Sequence, residues 1–188
     1  RISLSSTGFY KTPKIHWDQN NLKGRPYFYF TWGAAVSEAL IDVNTGENRI
    51  LQADIIEDCG RSLNEAIDIG QIQGGFVQGL GWLTCEELFF NDEGKLLTIG
   101  PSTYKIPGSR DVPPKFNVKL LENTFNEEKT IFRSKAVGEP PLLLAISHFL
   151  ALKNAVKMAF YNSDPSDINA PITPSELLKS IYQCKHVN

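Results

Sequence analysis

The apolar and polar positions change period several times along the chain, and each change marks an element. Tyr27 to Val43 is rich in aromatic and β-branched residues and ends on the alternation Val36, Glu38, Leu40, Asp42, which predicts a strand. Asn44-Thr45-Gly46-Glu47 is a turn, with Gly46 supplying the positive φ of a tight hairpin, and Asn48 to Glu57 is its return strand. Gly60-Arg61-Ser62-Leu63-Asn64 is a turn carrying helix-capping residue types. Gln71 to Leu88 follows at helical spacing, with Phe76, Leu80 and Leu83 on one face. Asn91-Asp92-Glu93-Gly94 is another turn signal, and Leu96 to Ile99 is a short extended piece. Ser102 to Pro114 is loop, Phe116 to Leu121 alternates as a strand, and Thr130 to Ser134 predicts one more short strand.

Pro140 to Tyr161 is the longest predicted helix, with Pro favoured in the first turn and a stripe of Leu142, Ile146, Phe149, Leu150, Val156 and Phe160. Leu143 and Leu144 make its first turn apolar nearly all round, which predicts deep burial there. Ser163 to Pro174 is a polar connection, and Thr173-Pro174-Ser175-Glu176 opens a last short helix with Thr173 as N-cap. Arg1 to Lys23 reads as a looped entry, with Asp18 to Asn21 as a surface loop. Strands and helices mix without a clean βαβ rhythm. The pattern predicts an α+β fold, a mixed, largely antiparallel sheet with packed helices.

Composition changes this picture little. Hydrophobic residues at 41% suit a globular core, and a net charge of -2 gives no footing for nucleic acid or an anionic membrane. No apolar run reads as long enough to cross a bilayer. Cys59, Cys85 and Cys184 are too scattered for a zinc or iron–sulfur site and read as reduced thiols. The chain begins at Arg1 rather than Met and reads as a piece of a longer protein, expected in the cytoplasm.

Two stretches are candidates for chemistry. Glu139 stands between Gly138 and Pro140-Pro141, just before an apolar helix. A carboxylate there, in an apolar surround and facing the helix dipole, suits a general base; the same position also suits a plain capping carboxylate. The second stretch crowds Gly70, Gly74, Gly75 and Gly79 around Gln71 and Gln78, which share a helix face. Each glycine costs a helix roughly 1 kcal/mol. They read equally as a helix start with free N–H groups for an anion or bulky cofactor, or as a seam for helix packing. His16, His148 and His186 have no metal-ligand spacing, and His148 reads as structural.

Four stretches together resemble the xanthine dehydrogenase/xanthine oxidase family of molybdenum hydroxylases. They are Arg1 to Tyr10, Gly60-Arg61-Ser62-Leu63-Asn64 through Gln71, Pro101-Ser102-Thr103-Tyr104-Lys105-Ile106-Pro107, and Ser134 through Pro141. The resemblance spans nearly the whole chain, with the four stretches in the family's order. Glu65 departs from the Pro that the family often has. Pro140-Pro141 with Ala136-Val137 leans toward xanthine dehydrogenase rather than the related aldehyde oxidases. The resemblance implies that residues 1–188 are a C-terminal segment of a molybdenum-cofactor-binding domain. It implies an oxidoreductase of purine catabolism that hydroxylates hypoxanthine and xanthine to urate with oxygen from water. Glu139 matches the family's catalytic base, so activity should fall at acid pH. Gln71 matches the glutamine beside the molybdenum, and Gly70 and Gly74 would let the molybdopterin approach. The pterin, not a side chain, holds the metal. FAD, two [2Fe–2S] clusters, the substrate-orienting Arg and a second Glu are implied elsewhere in the enzyme. The resemblance also implies an oligomer, and an isolated fragment without activity. Two further readings stay open: an aldehyde oxidase-like hydroxylase, and a non-catalytic assembly domain.

Overall fold

The computed structural model describes residues 2–160 and 168–185. A short antiparallel hairpin, β1 (His16–Asp18) and β2 (Lys23–Arg25), comes first. It occupies part of the stretch expected to be a looped entry, and the polar residues after Asp18 form its turn. The main sheet has the order β3-β4-β5, with β3 (Gly33–Ile41) antiparallel to β4 (Asn48–Glu57) and β5 (Lys115–Leu120) parallel to β4. The fold is therefore α+β with a mixed sheet, as the pattern implied. The β3–β4 turn needs its glycine: Gly46 has φ +74°, and a Cβ there would collide with Pro174 O. Residues 27–32, expected as the start of that strand, lie outside it.

Helix α1 (Glu65–Thr84) links β4 to β5 and begins six residues before the expected Gln71. The cap decides this: Asn64 is extended, and its Oδ1 accepts from the Ile67 N–H at 3.2 Å. The parallel pairing of β4 with β5 around α1 is thus one βαβ unit that the residue pattern did not reveal. Its inner face is apolar and its outer face polar. Ala53, Ile55, Phe116 and Val118 belong to the core, while Asp54 and Asn117 bond to each other on the other side at 2.7 Å. Phe76, Leu80 and Leu83 are buried in that core as expected, with the Phe76 and Phe116 rings 5.5 Å apart.

The segment 131–133 is a 3-10 turn rather than a strand. Phe132 and Arg133 have φ of 51° and 61°, which no strand admits, and only Ser134 makes a bridge, to Gly60. Pro140–Ala145 is likewise 3-10, and α2 (Ile146–Ala159) continues from it. The tighter winding shifts the phase of the long segment. Its buried stripe is Pro141, Ala145, His148, Leu152 and Val156, while Leu143 (60% exposed), Ile146 and Leu150 face outward. The deep burial expected around Leu143 is therefore absent. The expected last residue, Tyr161, lies outside the described residues.

Pro140–Ala159 does reach the length and apolarity of a membrane-crossing helix, contrary to the expectation that no run would. Here it packs on α1 and β3 along one side. A second core joins α2 to α3 (Pro174–Lys185) through Leu152, Val156, Ile172, Leu177 and Ile181. Thr173 Oγ1 accepts from the Glu176 N–H at 3.3 Å, which bears out the expected cap.

Candidate functional site

Helix α1 carries two kinds of glycine. Gly75 and Gly79 are buried against the 3-10 segment: a Cβ at Gly75 would lie 3.1 Å from Gly138 O, and one at Gly79 would collide with Leu142 O. These two make a packing seam. Gly70 and Gly74 are exposed and have open space where a Cβ would stand. Because the helix starts at Glu65, both sit inside it, so their N–H groups are committed to the helix. The expected helix start with free N–H groups is thus not present at Gly70 to Gly74. What the pair offers is bare, side-chain-free backbone beside the exposed amides of Gln71 and Gln78.

Glu139 stands at the head of the 3-10 segment with φ -97° and ψ -39°. Its side chain makes no capping hydrogen bond and is exposed. The carboxylate is thus not used as a cap, and this chain does not supply the apolar surround expected for it. Close packing through the glycine seam brings Gly138 against α1, where a Cβ on Gly138 would lie 3.4 Å from Gln71 Oε1. Gly138 is thus a neighbour of Gln71, with Glu139 the next residue along the chain, although β5 lies between the two stretches in sequence. The larger hollows lie elsewhere, one along Thr98–Ile106 and another between Asn48–Leu51 and Arg110–Pro114.

An open edge of this make suits a bulky planar group. Two glycines allow it to approach the helix, and a Gln amide offers both a donor and an acceptor. Among the described residues, no group of three or more His, Cys, Asp or Glu side chains could hold a metal ion directly.

Behind the edge lies a charged cluster that the residue pattern did not single out. Glu57, at the end of β4, is 2% exposed; burial first, and the neighbouring Asp58 charge second, push its carboxyl up to about 7. Asp58 is 3% exposed and bonds Lys135 Nζ at 2.5 Å. Burial pushes the Asp58 carboxyl up, but the Lys135 hydrogen bond and the Gly60 N–H hold it below the usual carboxylate value. The available signal was two adjacent carboxylates at the end of an apolar strand. Their burial comes from packing, which the strand's own sequence does not reveal.

The molybdopterin cofactor-binding domain family model matches residues 1–113. The chain is 49% identical over 182 residues to a xanthine dehydrogenase/oxidase of Felis catus, covering 94% of this chain and 14% of that protein. It is 45% identical over 187 residues to a xanthine dehydrogenase of Oryza sativa subsp. japonica, again covering 94% of this chain and 14% of that one. The chain thus spans about a seventh of the length of these curated relatives. Among solved structures, the CO dehydrogenase from Oligotropha carboxidovorans superposes with a TM-score of 0.70 at 24% identity, over 84% of this chain and 19% of that one, which speaks for the fold alone. Quinoline 2-oxidoreductase from Pseudomonas putida 86 gives 0.65 at 29% identity, over 76% and 17%. The family model matches more than half of the chain, residues 1–113, so the chain belongs to the molybdopterin cofactor-binding domain family.

Proposed function

We propose that residues 1–188 form a C-terminal segment of the molybdenum-cofactor-binding domain of a xanthine dehydrogenase, with Glu139 as its general base. The observation that carries this reading is the closeness of Gln71 to Gly138, whose next residue is the exposed, uncapped Glu139. The identity of 45–49% to xanthine dehydrogenases supports the substrate class, hypoxanthine and xanthine, and the product urate.

Molybdenum-molybdopterin supplies the Lewis-acid and redox chemistry that lets water serve as the oxygen source. Gly70 and Gly74 leave room for the group along α1, and Gln71 hydrogen-bonds beside it. Glu139 takes up the proton that the attacking oxygen must lose, so it has to start deprotonated and turnover should fall as it protonates at acid pH. The site's other wall, the substrate-orienting groups, the FAD and the two [2Fe–2S] clusters belong to the remaining six-sevenths of the enzyme. Exposed apolar residues such as Leu4 (100%), Phe9 and Ile131 give this chain broad surface for that association. The reading places the enzyme in purine catabolism in the cytoplasm, as an oligomer.

The test is the substrate profile of the full-length enzyme, wild type and Glu139→Gln. Hydroxylation of xanthine by the wild type, lost in the variant with molybdenum retained, supports the reading. Turnover of aldehydes without xanthine would replace it with an aldehyde oxidase-like activity. No hydroxylation of either class by the molybdenum-loaded enzyme would leave an assembly domain.

A further inference from the structure

Glu139 is exposed and its carboxylate makes no capping bond, yet a base must be held in place to act. Downstream, Pro140 and Pro141 stiffen the chain, and Pro141 lies buried against Gly75. Upstream, the chain is anchored four residues away. The Lys135 N–H donates to Cys59 O at 2.7 Å, and Ser134 bridges Gly60. The Ala136 N–H donates to Tyr29 Oη at 3.0 Å. The Lys135 side chain runs inward to Asp58 Oδ2 at 2.5 Å, and Asp58 Oδ1 is held in turn by the Gly60 N–H at 2.8 Å. The two side chains are 10% and 4% exposed, and Lys14–Glu128, Arg25–Glu128, Arg49–Glu47, Lys105–Asp111 and Lys179–Glu176 are each more exposed on both partners. A surface charge pair contributes little, whereas separating a buried pair strands an uncompensated charge and is strongly disfavoured. Only Ala136, Val137 and Gly138 separate this pair from Glu139, and Val137 is packed on the core.

We propose that Lys135 and Asp58 are positioning residues: their buried ion pair clamps the strand end at Asp58–Gly60 to the Ser134–Glu139 loop and so sets where the Glu139 carboxylate stands. The clamp rests on the reading of Glu139 as base. It acts on the placement of one side chain, not on the cofactor.

The experiment uses the full-length, molybdenum-loaded enzyme with xanthine as substrate. The pair is neutralised together in Asp58→Asn/Lys135→Met, so that no buried charge is left unpaired. Lys135→Arg, which keeps the charge but changes the reach and shape of the head group, is the second variant and the safer one for folding. Each is made alone and in a Glu139→Gln background, and kcat, KM and molybdenum content are measured. A displacement of about 1 Å costs a positioned group about 10²-fold. The expected result is a kcat loss approaching that size for the neutral pair and a smaller one for Lys135→Arg, with KM and molybdenum unchanged. In the Glu139→Gln background neither should lower kcat further, because groups that act as a unit are not additive. A purely structural role would instead multiply the loss in both backgrounds. Unchanged kcat in both variants, a multiplied loss, or loss of turnover only together with molybdenum would overturn the clamp. Near-normal turnover of Glu139→Gln by itself would overturn the base assignment, which is a separate failure.

Discussion

Glu57 offers a quantitative test of how this domain treats buried charge. Its carboxyl lies over Gly33, opposite it in the β3–β4 pair, and is 2% exposed. Burial and the Asp58 charge raise it from 4.5 to about 7, which makes the ionised form about 3 kcal/mol costlier in the folded domain than in the unfolded chain. A carboxyl raised on folding contributes fully below its unfolded value, and the contribution is lost as pH climbs toward the folded one. Of the total, about 1.4 kcal/mol is lost between about pH 6 and about pH 8, roughly tenfold in the opening equilibrium of β4. Glu57→Gln cannot ionise and lacks this term. Hydrogen exchange of peptides across Asn48–Glu57 in the full-length enzyme, corrected for intrinsic rates, reads that opening directly. The ratio of wild-type to variant opening should rise about tenfold over this range. A ratio that stays constant would refute the argument, since Glu57 would then not be titrating from a buried, protonated state.

Three other outcomes are expected. His148 is 2% exposed, its Nδ1 has no hydrogen-bond partner among the described residues, and burial lowers its pKa to about 4. A histidine depressed from 6.5 leaves stability intact at neutral pH and loses it as pH falls toward 4. Exchange across Ile146–Ala159 should show a loss of about 2 kcal/mol between about pH 7 and about pH 5 that His148→Phe abolishes. Gly79→Ala would drive a methyl into Leu142 O and to 2.7 Å from Ala145 Cβ, so the melting temperature should drop by the equivalent of about 1–3 kcal/mol. Gly74→Ala meets nothing among the described residues and gains up to about 1 kcal/mol of helix propensity. If the cofactor lies on that edge, molybdenum per enzyme should nevertheless fall; full occupancy would place the cofactor elsewhere.

Much of this was legible locally. The Gly46 hairpin, the inward face of α1 and the Thr173 cap are written in a few adjacent residues, and each stands as expected. The phase of the Pro140 segment was not, because the pattern assumes 3.6 residues per turn while the first six residues wind as 3-10. Ile131 and Phe132 looked like a strand by type, yet positive φ at Phe132 and Arg133 makes a turn that side-chain hydrophobicity does not encode. The start of α1 was read at the glycines instead of at Asn64, which led to free N–H groups that the helix in fact uses. At the site, the residue types were legible through the stretches around Gln71 and Glu139. Their meeting was not, since it depends on Gly75 and Gly79 letting two backbones close on each other. The Asp58–Lys135 pair was hidden for the same reason: neither neighbourhood signals burial until they are brought together.

The central claim is that Glu139 moves the proton in the chemical step, and the most direct measurement isolates that step. Full-length wild type and Glu139→Gln, matched in molybdenum content, are mixed anaerobically with xanthine, and the single-turnover rate of molybdenum reduction is followed across pH. Gln is nearly isosteric but cannot take the proton, and a base contributes about 10²–10⁴-fold. The account predicts a loss of that size, and a wild-type rate that declines toward acid pH while the variant's residual rate does not. A Glu139→Gln rate within a few-fold of wild type, with the same pH profile, would contradict it.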